Sequence, residues 1–231
     1  MLWTFAKNTL ADPSNETSLV EGRSSSMLYT GTEAAHVWRD RAPVSPAWFE
    51  IRPSNLPVHA EPLFDSRLDA IIGYRTETGG VACIYDLDGT CISVTEKPLE
   101  APLIDPLDAI FVVGAVWRSG ARALARIGAH GTHAIIGRSA LSGLRTRFAA
   151  SSGKQLRFAA VPLAHMQEPW RFVPVHILRL AIRHGKRIPD PKGHRGIFQY
   201  TAPMTHRGVR YQLDVVVRES DYTVLHFVYR H

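Results

Sequence analysis

Hydrophobic and polar positions alternate most regularly in the last third of the chain. The stretch VHILRLAIRH (175–184) places its apolar side chains on one side of a helical wheel and His176, Arg179 and Arg183 on the other. This pattern predicts an amphipathic helix that ends at Gly185. Apolar residues then recur at every second position, which predicts three antiparallel strands at 197–201, 211–218 and 223–229.

The earlier parts of the chain have different patterns. Residues 1–66 are rich in proline and predict irregular, loop-dominated structure, whereas AIIGYRTETGGVACIYDLDGTCISV (70–94) predicts a β-meander with turns at TETGG and DLDG. A Gly- and Ala-rich stretch from Pro106 predicts one or two helices, and 128–155 predicts a basic linker with some helix. We therefore expect an α+β protein with an N-terminal Pro-rich and β-meander region (1–105), a helical linker (106–149) and a C-terminal domain (150–231) in which an antiparallel sheet packs on helices.

Charge is divided unevenly along the 231 residues. Up to Trp117 there are 8 Lys and Arg against 16 Asp and Glu, a net charge of −8; after it there are 19 against 5, a net charge of +14. Nine of the eleven histidines also follow Trp117. A basic segment of this size indicates a polyanionic partner, because phosphate neutralisation and counterion release provide affinity without sequence recognition.

Composition excludes several classes of protein. The longest apolar run, AIFVVGAVW (109–117), is far shorter than the ~20 residues of a membrane-spanning helix, and no cleavable signal peptide is predicted. Two cysteines rule out a disulfide framework or an all-cysteine metal site. Few carboxylates follow Trp117, so the basic half offers no acidic cluster for Mg²⁺, and we predict no metal and no cofactor.

One motif points to a different chemistry. The stretch VACIYDLDGT (81–90) matches the first motif of haloacid-dehalogenase-type phosphatases, in which Asp86 would be the nucleophile and Asp88 the acid–base group. That family also needs a late acidic pair for Mg²⁺, which is missing from this sequence. A β-hairpin with Asp88-Gly89 in its turn explains the same letters, and a Mg²⁺-dependent phosphatase is kept as the less favoured alternative.

The stretch 163–231 resembles the C-terminal toxin domains of bacterial polymorphic toxins, and among them the nuclease superfamily that groups barnase, EndoU, colicin-type RNases and RelE (the BECR fold). The similarity lies in the order of features: His165 and Arg171, an amphipathic helix that ends in Gly-Lys-Arg, a Tyr-containing strand, a YQLDVVV strand and a closing VLHFVY strand. The upstream stretch DPLDAIFVVGAVWRSGARALA is similar to the Gly/Ala-rich pretoxin segment of such toxins.

The resemblance implies an antibacterial toxin that cleaves tRNA or another structured RNA. It implies export from the producing bacterium, by a contact-dependent or type VI route, within a larger secretion-linked polypeptide or apparatus, and action in the recipient's cytoplasm. An acidic cognate immunity protein would protect the producer.

Metal-free RNA cleavage needs a base for the ribose 2′-OH, an acid for the leaving 5′-oxygen and cations for the charge that develops on phosphorus. Histidine suits both proton-transfer roles, and Arg and Lys bind phosphate. The predicted catalytic residues are His165, His226, Arg187, Tyr200 and Tyr229. The predicted substrate-binding residues are Arg171, Lys186, Arg183 and Thr201. A structural role for His226 in mid-strand, and a nucleic-acid-binding module without catalysis, are the alternatives.

Overall fold

The structure is a computed structural model that describes residues 29–96, 109–112, 133–135, 137–151 and 155–231. In chain order the strands are β1 (Phe49–Glu50), β2 (Glu61–Asp65), β3 (Ala70–Thr78), β4 (Val81–Tyr85), β5 (Cys91–Glu96), β6 (Ala109–Val112), β7 (His133–Ile135), β8 (Arg157–Phe158), β9 (Lys186–Pro189), β10 (Ile197–His206), β11 (Val209–Arg218) and β12 (Thr223–Arg230). The helices are α1 (Arg138–Ala150), α2 (Ala160–His165) and α3 (Val175–His184), with a 3₁₀ turn at Pro46–Trp48. The described residues therefore have an α+β architecture, as predicted. Among them, no helix has the length and apolar character needed to cross a membrane.

The C-terminal sheet has the order β1-β10-β11-β12-β8. Strand β9 also pairs with β10, at Phe198–Thr201, nearer the start of β10 than the residues that pair with β1. All pairs of this sheet are antiparallel except β12 with β8. The three predicted strands are confirmed as β10, β11 and β12, and the first is longer than predicted. Arg207 and Gly208 both have positive φ, 52° and 81°, as expected for a two-residue hairpin turn between twisted strands.

Helix α3 confirms the predicted amphipathic helix, with the same bounds. It buries Ile177, Leu178, Leu180 and Ala181 and packs on β10 and β11. The polar side of α3, on which His176 lies, is not open to solvent throughout, because the His176 Nε2 atom is buried. The reason is tertiary: side chains from outside α3 cover part of that face.

The second sheet has the order β5-β4-β3-β2-β6-β7 and is antiparallel throughout. Strands β3, β4 and β5 confirm the predicted β-meander. The predicted helix from Pro106 is wrong for Ala109–Val112, which form β6 beside β2; this run of branched and aromatic residues satisfies its backbone by strand pairing instead. The rest of 106–127 lies outside the described residues, and α1 provides helix within the predicted linker.

The largest hydrophobic core of the described residues combines side chains from the N-terminal region and from the C-terminal sheet and helices. Phe49, Ile51 and Tyr74 belong to the same buried cluster as Leu178 and Phe227. A smaller cluster joins β3 to α1 through Ile72 and Leu144. Gly73 permits this contact, because a Cβ on it would lie 2.4 Å from the Tyr85 carbonyl oxygen and 2.7 Å from Leu144 Cδ2.

Candidate active site

At the outer edge of the C-terminal sheet, His165 is near enough to His226 for its charge to lower the pKa of the His226 ring. His226 is in the middle of β12, opposite Val216 of β11. On its other side, β12 pairs with β8 only at Thr223 and Val224. Helix α2 packs against β12, and His165 is its last residue. The His165 ring meets the ring of Phe227 edge-on, with 6.0 Å between centroids.

Arg171 completes this group, which we call the β12 cluster (His165, Arg171 and His226). Its Nη1 atom lies 2.6 Å from His165 Nε2. Because a guanidinium can only donate, His165 Nε2 is the acceptor and the proton of the neutral ring is on Nδ1. Burial and the nearby Arg171 charge lower the pKa of His165, against a smaller opposing effect of Glu168.

His226 is held neutral more strongly. Burial, together with the charges of His165, Arg171 and Lys192, lowers the pKa of His226 to about 4, and Asp214 opposes the shift. A neutral imidazole keeps a lone pair and can accept a proton at pH 7. Asp214 itself is buried and accepts hydrogen bonds from Thr201 Oγ1 at 2.7 Å and from Arg230.

An exposed tryptophan borders the β12 cluster. Trp170 has 66% of its surface exposed, and the guanidinium carbon of Arg171 lies 4.5 Å from the centroid of its ring. The Tyr229 hydroxyl donates to the Trp170 carbonyl at 2.7 Å, so the position of this segment is fixed. Tyr229 is thus linked to this segment through the backbone of Trp170. Its hydroxyl proton is donated to the Trp170 carbonyl.

Arg187 and Tyr200 form a separate group on the other side of the sheet. Arg187 makes a two-point ion pair with Glu219, at 2.7 and 3.0 Å, and the Tyr200 hydroxyl donates to the same carboxylate. Burial and Glu219 raise the pKa of Tyr200 to about 12. Tyr200 belongs to the core beneath α3, whereas its neighbour Thr201 faces Asp214 on the opposite side of the sheet. The predicted catalytic and substrate-binding residues are therefore divided between the two faces of the sheet.

The remaining predicted phosphate-binding residues are spread over both sides. Lys186 is exposed on β9, in register with Thr201. The Arg183 Nε atom lies 2.9 Å from Asp88 Oδ1, near the β4–β5 turn. The structure therefore places His226 within electrostatic range of His165 and Arg171 and links Tyr229 to the backbone of Trp170; it does not bring Arg183, Arg187 or Tyr200 to that cluster.

The sequence analysis did not identify Trp170, Lys192 or Asp214. Trp170 follows a proline in an irregular segment, where nothing in the local pattern indicates exposure. Asp214 is the one acidic residue of β11, between the apolar Leu213 and Val215. A charge in that position is the signal that could have identified it, because such a group is buried only with partners.

The DLDG sequence lies in the turn between the antiparallel strands β4 and β5. The Gly89 amide donates to the Asp86 carbonyl at 3.0 Å. Asp86 Oδ1 accepts from the amides of Asp88 and Thr90, at 3.0 and 2.9 Å, and Oδ2 accepts from Arg147 at 3.1 Å. Both carboxylate oxygens thus have structural partners, and this geometry favours the hairpin interpretation over a nucleophilic Asp86.

Comparison of the chain with family models, with curated proteins and with solved structures finds no match. The interpretation of the site therefore depends on its own geometry and charges.

Proposed function

We propose that the protein is a metal-independent ribonuclease whose reaction centre is the β12 cluster. The observation that carries this proposal is that Arg171 contacts His165 and that both act electrostatically on His226, although the three residues belong to a loop, a helix end and the middle of a strand. Two imidazoles and one guanidinium are the groups that phosphodiester transesterification requires. The BECR arrangement and an RNA substrate are part of the same proposal.

The reaction begins with His226 as base. His226 removes the proton of the ribose 2′-OH, O2′ bonds to phosphorus, and the bond from phosphorus to O5′ breaks. The products are a 2′,3′-cyclic phosphate and a 5′-hydroxyl, and the latter takes its proton from His165. Burial and the Arg171 charge both lower the pKa of His165. When Arg171 turns from His165 to the phosphate, its charge is neutralised and only burial still opposes protonation, so the imidazole more readily carries the proton that it donates.

The electrostatics support an anionic ligand. His165, Arg171 and Lys192 each lower the pKa of His226, which means that positive charges there repel one another. A bound phosphodiester relieves this repulsion. The exposed ring of Trp170 beside Arg171 offers an unpaired base a stacking surface, which is how proteins commonly hold single-stranded RNA.

The test is cleavage of RNA by the full chain in excess EDTA. We expect products with 2′,3′-cyclic phosphate ends, and no cleavage of an oligonucleotide with 2′-deoxyribose at every position. His165→Ala and His226→Ala should each lower the rate about 10²–10⁴-fold, whereas the matched control His59→Ala, an exposed loop histidine, should retain the rate. Intact RNA, or unchanged cleavage rates in both His165→Ala and His226→Ala, would refute the ribonuclease proposal. Salt-sensitive RNA binding without cleavage would instead support the alternative of a non-catalytic nucleic-acid-binding module.

The proposed biological role is that of an antibacterial toxin delivered to a recipient cell, with an acidic immunity protein as inhibitor. The support is the similarity noted in 163–231 and the net charge of +14 after Trp117. Production of the chain in a bacterium without an inhibitor should stop growth with fragmentation of tRNA, and His226→Ala should restore growth. Normal growth with active enzyme present would exclude the toxin role and leave the ribonuclease.

A further inference from the structure

The two faces of the C-terminal sheet differ in character. On β10, β11 and β12 every second side chain belongs to the hydrophobic core, among them Ala202, Leu213 and Phe227, and α3 packs on this side. The side chains between them point the other way, because neighbours on a strand alternate. We call that side the open face. Strand register places on it Lys186, Thr201, Arg210, Asp214, His226 and Arg230. Tyr29 covers one end of it, at Val216.

The charge that the open face presents to solvent is positive. Lys186, Arg210 and Arg230 are exposed. The one carboxylate that β9–β12 place on this face, Asp214, is buried and accepts a hydrogen bond from Arg230. In the part of the chain that the structure describes, neither Lys186 nor Arg210 is within ion-pair distance of a carboxylate. Lys192 adds positive charge near one end, since it acts electrostatically on His226.

The cations are widely separated on the sheet. Arg230 follows His226 by four residues on β12, a distance of about 13 Å at the usual rise of a strand. Lys186 of β9 lies three strand spacings from β12, about 14 Å across the sheet. A ligand that contacts both cations and reaches His226 therefore carries several negative charges along its length, as a nucleic-acid backbone does.

The open face lacks the side chains on which unpaired bases stack. None of its exposed positions on β9–β12 is aromatic, whereas the rings of Tyr211, Phe227 and Tyr229 are on the core side. Proteins that bind single strands stack the bases on exposed aromatic rings, and double-stranded RNA is contacted mainly at its phosphates and 2′-hydroxyls. The open face therefore suits the backbone of a paired stem, while the exposed ring of Trp170 beside Arg171 suits an unpaired nucleotide.

We propose that the open face binds the phosphate backbone of an RNA stem that adjoins the cleaved nucleotide. Lys186, Arg210 and Arg230 contact phosphates of the stem, and His226 lies on the same face, where the stem meets the unpaired nucleotide. This inference rests on the proposed ribonuclease function and specifies its substrate: RNA in which a stem borders an unpaired stretch.

The experiment is fluorescence anisotropy of the full chain with a labelled RNA hairpin and with an unstructured strand of the same length. Every ribose of both probes carries a 2′-O-methyl group, which removes the 2′-OH nucleophile and keeps the probes intact. We expect the hairpin to bind at least ten-fold more tightly than the unstructured strand. Lys186→Met and Arg210→Met should each weaken hairpin binding about three- to five-fold, and together about 10- to 25-fold, because distant exposed charges contribute additively.

Arg183→Met is the matched control. Arg183 is also exposed, with 57% of its side chain accessible, but it belongs to α3 on the other side of the sheet, so this variant should bind the hairpin like the parent. Arg230 is left unchanged, because the buried Asp214 would lose its cation. Lys186 and Arg210 are exposed, so their variants should fold, which circular dichroism checks. Each of these two substitutions should also lower by about one the slope of log affinity against log salt concentration.

The open face and the reaction centre can fail independently. Unchanged hairpin affinity in the double variant would overturn the open-face proposal, and equal affinity for hairpin and unstructured strand would overturn the stem as ligand. Binding of polyglutamate that depends on Lys186 and Arg210, with hairpin binding unchanged, would identify an acidic protein as the partner instead. If hairpin binding depends on both residues but unmodified RNA stays intact, the ribonuclease proposal fails and the open face stands. If the double variant cleaves the unmodified hairpin with the parent's KM and kcat, the open-face proposal fails and the ribonuclease stands.

Discussion

Replacement of Asp86 separates a structural carboxylate from a chemical one. The Asp86 side chain is 6% exposed and accepts from the amides of Asp88 and Thr90. Asp86→Ala removes Oδ1, the acceptor of both hydrogen bonds, at a buried position of the turn. We expect a loss of about 2–4 kcal/mol of unfolding free energy, since hydrogen bonds to charged groups contribute about 1.5–3 kcal/mol each and water compensates partly at this turn.

Asp86→Asn is the matched variant, because it keeps an oxygen in the Oδ1 position. It loses mainly the ion pair with Arg147, whose side chain is 55% exposed, and such a pair contributes only about 0–1 kcal/mol. Urea unfolding followed by circular dichroism should therefore show a midpoint about 1 M lower for Asp86→Ala, with a slope of roughly 2–3 kcal/mol/M, and a small change for Asp86→Asn. Equal destabilisation by the two variants would refute the acceptor role. A Mg²⁺-dependent phosphatase activity lost in Asp86→Asn would establish the alternative chemistry.

Two further predictions concern stability. Arg218 donates to both oxygens of Asp221, at 3.0 and 2.8 Å, and lowers the pKa of Asp221 to about 2, so Asp221→Asn should cost about 1–2 kcal/mol at pH 7. A carboxylate with a depressed folded pKa stabilises above its unfolded value, about 4, so the difference between variant and parent should vanish as the pH falls from about 4 to 2; a constant difference in urea titrations across this range would contradict the ion-pair explanation. Gly73→Ala should lower the unfolding free energy by about 3 kcal/mol, because the added Cβ meets a carbonyl oxygen at 2.4 Å. Gly143→Ala, in the interior of α1, should instead raise the melting temperature slightly, because the nearest atom that an added Cβ would meet outside the helix is Ile92 Cδ1 at 4.0 Å. A similar effect of both substitutions would show that crowding at Gly73 is not the cause.

The candidate site was predictable in its chemistry and only partly in its membership. Imidazole and guanidinium suit phosphodiester cleavage, which is why the sequence predicts His165, Arg171 and His226; Arg171 contacts His165, and both act electrostatically on His226. Arg187 and Tyr200 met the same chemical criterion, yet they are paired with Glu219 on the other side of the sheet. Adjacent residues on a strand point to opposite faces, so Tyr200 and Thr201 could not both face the same cluster. Their partners depend on strand register, and composition carries no information about it.

The local pattern of the chain determined α3, the three long C-terminal strands and the β-meander. Helix and strand periodicities, together with Gly and Asp turns, are short-range properties that survive in a single sequence. Long-range pairing decided the rest. Ala109–Val112 form a strand because they pair with the edge of β2. His176 is covered because side chains from other elements, such as Phe148 of α1, pack against it. The two aspartates of the DLDG turn pair with Arg147 and Arg183, which also depends on tertiary packing. These outcomes depend on contacts between residues far apart in sequence, whose free energy overrides local propensity.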